Sequence, residues 1–378
     1  MNKIVVAIDS FKGSLSSREA DEAAEQGIKT IFPQCEVLHF PVADGGEGIL
    51  EILTDAFHGH TVPLVAHNPL MQKITTQYGI SEDGRTALVE MARISGLPLL
   101  PPSRRNPMLT TSYGLGEIIA EALNKGCRHF IIGIGGSATN DGGIGMLQAF
   151  GYQFLDKNRK DVGKGVAALG KVEMIIADKV NPLISKIKFQ VACDVDNPLY
   201  GEKGATYIFG AQKGVTDEMK PLIDNDMKHF ADKTKEKLGV SCEDIPGAGA
   251  AGGLGFALLS YLNAELTPGA ELVMQLTDME DKIKNSDIVI TGEGQLDSQT
   301  VMGKAPIGVA GLAKKYDKKV IAFAGIISAD AAICNENGID AFFPIVRGVT
   351  TLEEAMKKEN AIKNMELAVE QVFRVIVL

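Results

Sequence analysis

The sequence contains no tryptophan, and aromatic side chains make up only 6% of its 378 residues. It has no apolar run of membrane-spanning length and no cluster of lysines or arginines, and its net charge is −10. These absences argue against a membrane protein, and against nucleic acid or an anionic lipid surface as a partner. The five cysteines show no Cys-x-x-Cys spacing, which is typical of reduced thiols. Because the N-terminus also has no signal-peptide pattern, we expect a cytoplasmic protein.

Several catalytic motifs are missing as well. The sequence has no Walker A motif and no Gly-x-Ser-x-Gly elbow, which excludes a P-loop kinase and leaves hydrolase chemistry without a nucleophile. Two glycine patterns, Gly133-x-Gly135-x-x-Ala138 and Gly247-x-Gly249-x-x-Gly252, fit the dinucleotide fingerprint. The second does not follow a predicted strand, and the first runs into polar residues where a helix should pack on a sheet. An NAD(P)-dependent hydroxy-acid dehydrogenase remains an alternative.

The most distinctive stretch of the chain runs from Gly133 to Gly143. It follows the apolar run Phe130-Ile131-Ile132 and mixes glycines with small hydroxyl, amide and carboxylate residues. A strand that ends in such a loop can present bare backbone N–H groups to a charged ligand. Similar loops occur at residues 43–48, 246–253 and 291–297. Four such loops indicate an enzyme that handles small anions.

The length of the chain favours two domains. Apolar β-rich runs alternate with amphipathic stretches at both ends of the chain, a pattern that predicts an α/β fold with parallel sheets. We expect residues 1–64 and 285–378 to form a doubly wound, Rossmann-like domain. Residues 65–284 are then a second α/β domain inserted into the first, and the active site is expected in the cleft between them.

Local signals place several elements. Residues 3–8 form a continuous apolar run that predicts a buried strand. Ser16 and Glu19 have the spacing of a capping box, so a helix should begin there, and Pro33 should end it. The sequence Glu82-Asp83-Gly84 predicts a hairpin. Helices are also expected over residues 113–124 and 219–238, and further strands over residues 128–134 and 286–291.

Carboxylates follow several of the predicted strands. The aspartates concerned are Asp9, Asp44, Asp141, Asp194 and Asp297. Each could simply be a helix cap or a turn residue. Together in one cleft, however, they would repel one another unless cations neutralised them. Mg²⁺ that bridges nucleotide phosphates would meet this need with one or two protein carboxylates.

Three lysines stand next to glycines in or near these loops, namely Lys12, Lys213 and Lys304. A lysine beside a glycine can approach a phosphate or carboxylate without steric obstruction. Phosphoryl transfer needs cations on the γ-phosphoryl oxygens, Mg²⁺, and a carboxylate that takes the proton of the acceptor hydroxyl. A binding protein without catalysis is a second alternative, although it would hardly need carboxylates in so many loops.

Read together, these loops resemble the signature blocks of the bacterial type I glycerate kinases, and the blocks occur in the order of that family. The blocks are Asp9-Ser10-Phe11-Lys12-Gly13-Ser14-Leu15, Ala43-Asp44-Gly45-Gly46-Glu47-Gly48, residues 135–143, residues 192–199, Gln212-Lys213-Gly214, residues 246–255 and Thr291-Gly292-Glu293-Gly294. The resemblance implies ATP-dependent phosphorylation of D-glycerate, usually to 2-phosphoglycerate, by a two-domain α/β enzyme. Gln295 departs from the family, in which arginine is frequent at this position.

From this pattern we assign candidate roles. Asp44 is the first choice for the base, and Asp141 is the second. Lys12 and Lys213 are expected to bind the glycerate carboxylate or the transferring phosphoryl group, together with Ser10 and Asn140. The nucleotide phosphates are expected on the backbone of Gly135, Gly136, Ser137, Gly249, Gly252 and Gly253. Mg²⁺ is expected on Asp194, with help from Glu293 or Asp297. The sequence leaves monomer and homodimer open.

Overall fold

The computed structural model describes residues 1–42, 46 and 48–377. The chain divides into two compact units. Unit 1 consists of Met1–Asp44 and Ala270–Leu378, and unit 2 consists of Gly45–Gly269. Both units combine helices with strands, so the predicted α/β class is confirmed.

Strands and helices are numbered along the chain. The strands are β1 (Lys3–Ile8), β2 (Glu36–His39), β3 (His60–His67), β4 (Lys73–Ile80), β5 (Thr86–Glu90), β6 (His129–Gly133), β7 (Gln153–Leu155), β8 (Met174–Ile176), β9 (Lys188–Ala192), β10 (Glu265–Thr267), β11 (Ile288–Leu296), β12 (Lys319–Ile327) and β13 (Ala341–Pro344).

The helices are α1 (Ser17–Ile31), α2 (Ile49–Ala56), α3 (Ala92–Ser95), α4 (Tyr113–Asn124), α5 (Ile144–Ala149), α6 (Val166–Leu169), α7 (Ala205–Phe209), α8 (Lys220–Leu238), α9 (Ala250–Leu262), α10 (Gly269–Leu276), α11 (Met279–Lys284), α12 (Ala305–Lys314), α13 (Ile333–Glu336), α14 (Leu352–Met356) and α15 (Lys358–Val377). In the part of the chain that the structure describes, none of them is long and apolar enough to cross a bilayer.

Unit 1 is built on a parallel sheet with the strand order β13-β12-β11-β1-β2. Alternate residues of its central strands face opposite sides. Ile4 and Val6 pack with residues of α1 and α15, whereas Val5 and Ala7 pack with residues of α11 and α12. Helices therefore cover both faces of the sheet. This two-sided burial explains why β1 is apolar at every position from Ile4 to Ile8.

Helix α1 begins where the sequence predicts. Ser16 accepts a hydrogen bond from the backbone N–H of Glu19, and the Glu19 carboxylate accepts one from the N–H of Ser16. Both halves of the capping box are therefore present. The helix ends at Ile31, two residues before Pro33. Its buried face, which includes Ala20, Ala24 and Ile28, lies against the sheet.

Unit 2 contains a mixed sheet with the order β10-β9-β6-β5-β4-β3. Strands β5, β6, β9 and β10 are parallel, whereas β3 and β4 are antiparallel. The predicted hairpin turn at residues 82–84 joins β4 to β5. Strand β3 pairs along its whole length with β4, and residues 48–64 belong to unit 2. The first boundary between the units lies near residue 44, where the sequence predicts residue 64. The second boundary, at which the chain re-enters unit 1, lies at residue 269, where the sequence predicts residue 284.

Candidate active site

In unit 1, the polar residues gather at the carboxyl ends of β1 and β11. These two strands pair in parallel, and Ile8 at the end of β1 lies opposite Gly292 in the middle of β11. Open α/β sheets bind ligands at the carboxyl ends of their strands. The backbone N–H of Asp9 donates to the carbonyl oxygen of Gly292 at 2.9 Å and joins the loop after β1 to strand β11. The Asp9 carboxylate accepts the N–H of Ser10 at 2.6 Å and is 8% exposed.

Lys12 lies in a tight turn after β1. The turn is closed by reciprocal backbone hydrogen bonds between Phe11 and Leu15, and Gly13 adopts a left-handed conformation with φ +79°. Phe11 and Leu15 are buried, whereas Lys12 is exposed. The apolar anchors therefore hold a loop whose lysine faces solvent, where an anionic substrate can reach it. Asp44 lies outside the described residues.

The second cluster of unit 1 contains Glu293, Asp297, Thr300 and Lys304. Glu293 is nearly buried, and its Oε1 accepts the Thr300 hydroxyl at 2.7 Å. The Nζ of Lys304 lies 3.5 Å from Oε2 of Glu293 and 3.8 Å from Oδ1 of Asp297. Burial raises the pKa of Glu293, while the Thr300 hydrogen bond and the Lys304 charge oppose the rise. The structure thus joins two of the predicted metal ligands to a lysine.

In unit 2, the buried side chain of Lys213 holds the loop after β6. The Lys213 ammonium donates to Oγ of Ser137 at 2.8 Å and to the carbonyl oxygen of Thr139 at 2.7 Å. Its side chain is 1% exposed. Since these acceptors belong to the loop itself, Lys213 braces the loop in this conformation and does not face an incoming ligand.

Asp141 is completely buried and ties the same loop to two helices. Its Oδ2 accepts the N–H of Ser112 at 2.8 Å, the hydroxyl of Ser112 at 3.1 Å and the N–H of Gly145 at 3.3 Å. Its Oδ1 accepts the N–H of Gly143 at 3.2 Å. Burial raises the pKa of Asp141, and the hydrogen bonds from Ser112 oppose that rise. The carboxylate is committed to loop and helix N–H groups, which is the role of a cap.

Gly249, before α9, and Gly252 and Gly253, in the non-helical first turn of α9, pack against neighbouring loops. The carbonyl oxygen of Gly252 accepts a hydrogen bond from the N–H of Gly142 at 2.9 Å. The N–H of Gly249 donates to the carbonyl oxygen of Asn197, also at 2.9 Å. All three glycines are buried, and a Cβ at Gly252 would overlap the backbone of Thr139. Gly252 and Gly253 also have left-handed backbones, with φ +72° and +86°. Their lack of a side chain allows two backbones to meet.

Asn140 is fully buried between the same loops. Its Nδ2 donates to the hydroxyl of Thr206 at 3.1 Å, whereas its Oδ1 has no hydrogen-bond partner among the described residues. The loop residues that reach the surface are instead Gly136, which is exposed, and Gly135, which is half-buried. Backbone N–H groups that a phosphate could approach therefore lie at the start of the loop.

Asp194 lies in the exposed loop after β9 of unit 2, and its Oδ1 accepts the N–H of Gly269 at 2.8 Å. Glu293 and Asp297 belong to unit 1. Within residues 1–42, 46 and 48–377, no group of three or more histidine, cysteine, aspartate or glutamate side chains could hold a metal ion. At Glu293 and Asp297, hydrogen-bond donors and Lys304 already engage the carboxylate oxygens, so this pair fits a metal ion poorly.

Sequence reasoning missed several residues that position these loops. Glu90, at the end of β5, is 3% exposed, and its Oε2 accepts the N–H of Gly48 at 3.1 Å at the start of α2. Ser112 and Thr206 support the loop after β6. A charged residue that closes an apolar run, as Glu90 does, was a usable signal. Ser112 and Thr206 gave none, because they lie 29 and 66 residues from their loop partners.

The buried ammonium of Lys213 should make stability depend on pH. Burial lowers its pKa to about 7, although the Asp141 charge opposes the shift. Above pH 7 the unfolded chain keeps a proton that the folded chain has lost, so the free energy of unfolding should rise with pH until the unfolded lysine titrates near pH 10.5. Lys213→Met removes this contribution. Between pH 7 and pH 9 the wild type should gain about 2 kcal/mol relative to the variant in urea unfolding. If the free energies of unfolding of the wild type and the variant changed with pH in the same way, burial would not lower the pKa of Lys213 and the prediction would be wrong.

Comparison with known proteins places the chain among related sequences. Residues 4–377 match the model of the glycerate kinase family. A glycerate kinase of Bacillus subtilis is 49% identical over 364 residues, which cover 96% of this chain and 95% of that protein. A glycerate 2-kinase of Escherichia coli is 46% identical, with coverages of 94% and 93%. The crystal structure of a putative glycerate kinase 2 from Salmonella typhimurium superposes with a TM-score of 0.89 at 42% identity, and covers 100% of this chain and 98% of that one.

Proposed function

Because this chain belongs to the glycerate kinase family, we propose that it transfers the γ-phosphoryl group of ATP to a hydroxyl group of D-glycerate. The relative from Escherichia coli is named for the 2-kinase reaction, so 2-phosphoglycerate is the product we expect. The observation that carries the proposal is the match along nearly the whole chain. The kinase assignment also agrees with loops that present lysine, carboxylate and bare backbone at the carboxyl ends of strands.

We assign the phosphates of ATP to the exposed start of the loop after β6. Gly135 and Gly136 carry no side chain, and Gly136 has φ +69°, so a phosphate can approach the backbone N–H groups there. Ser137 and Thr139 hold the loop in place through the Lys213 ammonium. Asp141, Asn140 and the glycines at 249, 252 and 253 then act by positioning this loop, and not by touching the nucleotide.

Lys12 and Ser10 are our candidates for binding glycerate, and Asp44 is the candidate base. Lys12 is exposed in a turn anchored by buried side chains, which gives a positive charge a defined position for an anionic substrate. A carboxylate that accepts the proton of the attacking hydroxyl makes that oxygen a better nucleophile as the bond to phosphorus forms. ATP is expected to enter as its Mg²⁺ complex, in which the ion neutralises phosphate charge. Asp194 is the candidate ligand of this ion.

The proposal predicts a reaction with three requirements. The purified protein should release ADP from ATP only when D-glycerate is added, and chelation of divalent ions should stop the release. The measurement is a coupled assay of ADP. Release of ADP without glycerate would indicate an ATPase, and no release under any condition would contradict the proposed activity. A change in nicotinamide absorbance with glycerate would instead favour the dehydrogenase alternative.

A further inference from the structure

Lys304 lies beside Glu293 and Asp297, the two carboxylates that the sequence predicts as additional ligands of a metal ion on Asp194. Its Nζ is 3.5 Å from Oε2 of Glu293 and 3.8 Å from Oδ1 of Asp297. The Lys304 side chain is 38% exposed, whereas the Glu293 side chain is 9% exposed. The lysine thus links a nearly buried carboxylate to the surface.

The two carboxylates leave little room for a metal ion. Oε1 of Glu293 accepts the Thr300 hydroxyl. Oδ1 of Asp297 accepts the backbone N–H groups of Gln299 and Thr300 at 2.9 and 3.2 Å, and Oδ2 accepts the amide of Gln295 at 2.9 Å. The remaining oxygen, Oε2 of Glu293, faces Lys304. Magnesium sites in proteins use one or two carboxylates together with water and phosphate oxygens, so a Mg²⁺ ion on Oε2 of Glu293 would have to displace Lys304.

The backbone fixes Lys304 at the start of a helix. Gly303 adopts φ +100°, and Lys304 is the N-cap of α12, which runs for ten residues. The side chain begins at the end of the helix that carries a partial positive charge. With Lys304 protonated, the formal charge of the three ionisable groups is about −1, and it is about −2 without the lysine. Because the two carboxylates repel an anion, an oxyanion can approach this cluster only by contacting the Lys304 ammonium group.

We propose that Glu293 and Asp297 bind the ammonium group of Lys304 instead of a metal ion, and hold it to contact an oxyanion of glycerate or ATP. This inference rests on the proposed function, because it assigns a residue to the same reaction. The shared chemistry is that of a carboxylate or phosphate oxygen that accepts an N–H from lysine. Glu293 and Asp297 are positioning residues in this account, and Lys304 is the residue that touches the substrate.

The first test measures metal binding without any reaction. Mn²⁺ is titrated into nucleotide-free protein, and the free ion is followed by electron paramagnetic resonance. We expect Glu293→Gln to bind Mn²⁺ within twofold of the wild type, because Glu293 is not a metal ligand. A Mn²⁺ affinity at least tenfold weaker in Glu293→Gln would overturn the proposal. This measurement stands even if the protein proves not to phosphorylate glycerate.

The second test separates substrate contact from mere stability. Lys304→Met should raise the KM of one substrate about 30-fold while the urea midpoint stays near that of the wild type. The affected substrate, D-glycerate or ATP, identifies the oxyanion. Lys304→Arg should recover part of the loss, and adding Glu293→Gln to Lys304→Met should recover several-fold because it removes an uncompensated charge. The control is Lys282→Met, since Lys282 of unit 1 is 41% exposed and also pairs with a carboxylate, that of Asp278.

Unchanged KM values for both substrates in Lys304→Met would overturn the assignment of Lys304 to an oxyanion. So would an equal effect of Lys282→Met, because any exposed lysine of unit 1 would then have the same influence. If the wild type releases no ADP with glycerate, the proposed function fails, and the Mn²⁺ titration alone decides whether Glu293 binds lysine or metal.

Discussion

Gly252→Ala should lower the free energy of unfolding by about 4 kcal/mol and reduce turnover at least ~100-fold. Gly252 has φ +72°, which costs an alanine roughly 1 kcal/mol or more. The larger part of the effect comes from contact, since the new Cβ would overlap the carbonyl oxygen of Thr139 and lie 2.5 Å from Cα of Asn140. The loop after β6 must then shift, and with it the hydrogen bond from Gly142.

The control for this prediction is Gly239→Ala. Gly239 also has φ +72°, but a Cβ there meets nothing within 4 Å. The two variants therefore share the conformational penalty and differ in the contact. Urea unfolding should show a loss of about 1 kcal/mol for Gly239→Ala, with full activity. Similar losses of stability in the two variants would mean that Gly252 does not hold the two loops together.

The second large effect separates the two candidate bases. Asp44→Asn should lower kcat by about 10²- to 10⁴-fold with little change in unfolding, because the amide has the size of the carboxylate but cannot take the proton. Asp141→Asn should instead cost about 3 kcal/mol of stability. An amide nitrogen at position 141 would face N–H groups of Ser112, Gly143 or Gly145 that now donate to the carboxylate.

Each variant serves as the control of the other, and steady-state rates are compared with urea midpoints. A folded, inactive Asp141→Asn beside an active Asp44→Asn would reverse the two roles. Near-normal turnover in both would mean that neither carboxylate is the base. In that case another carboxylate of the loops, such as Asp9, becomes the next residue to replace.

Local signals predicted the individual elements well. The capping box at Ser16 and Glu19 needs only neighbouring residues, and helix α4 begins and ends where its apolar spacing indicates. Strand β11 shows the limit of such reasoning. The sequence suggested a loop from residue 291 onward, yet the strand continues to Leu296 because Gln295 and Leu296 pair with Ile326 and Ile327 of β12. Pairing with β12, which is distant in sequence, therefore outweighed the preference of the glycines for a loop.

The sequence indicated which loops carry glycine, lysine and carboxylate, but not how deeply their side chains are buried. The spacing of glycine, lysine and carboxylate identified the loops. Burial could not be read from the same pattern, because it depends on distant residues: Met227 and Phe230 of α8, for example, lie beside the position a Cβ of Gly142 would take. Lys213, expected to bind substrate, and Asp141, the second candidate base, are both buried and take part in hydrogen bonds of the loop.

The product of the proposed transfer from ATP to D-glycerate can be observed directly. The protein is incubated with ATP, Mg²⁺ and D-glycerate, and the mixture is followed by ³¹P NMR. Phosphorylation of the 2-hydroxyl should give a phosphomonoester resonance split into a doublet by the single hydrogen on that carbon, together with signals of ADP. A triplet would place the phosphate on the CH₂ carbon instead and contradict the 2-phosphoglycerate assignment. A spectrum in which ATP persists and no phosphomonoester forms would contradict the kinase itself.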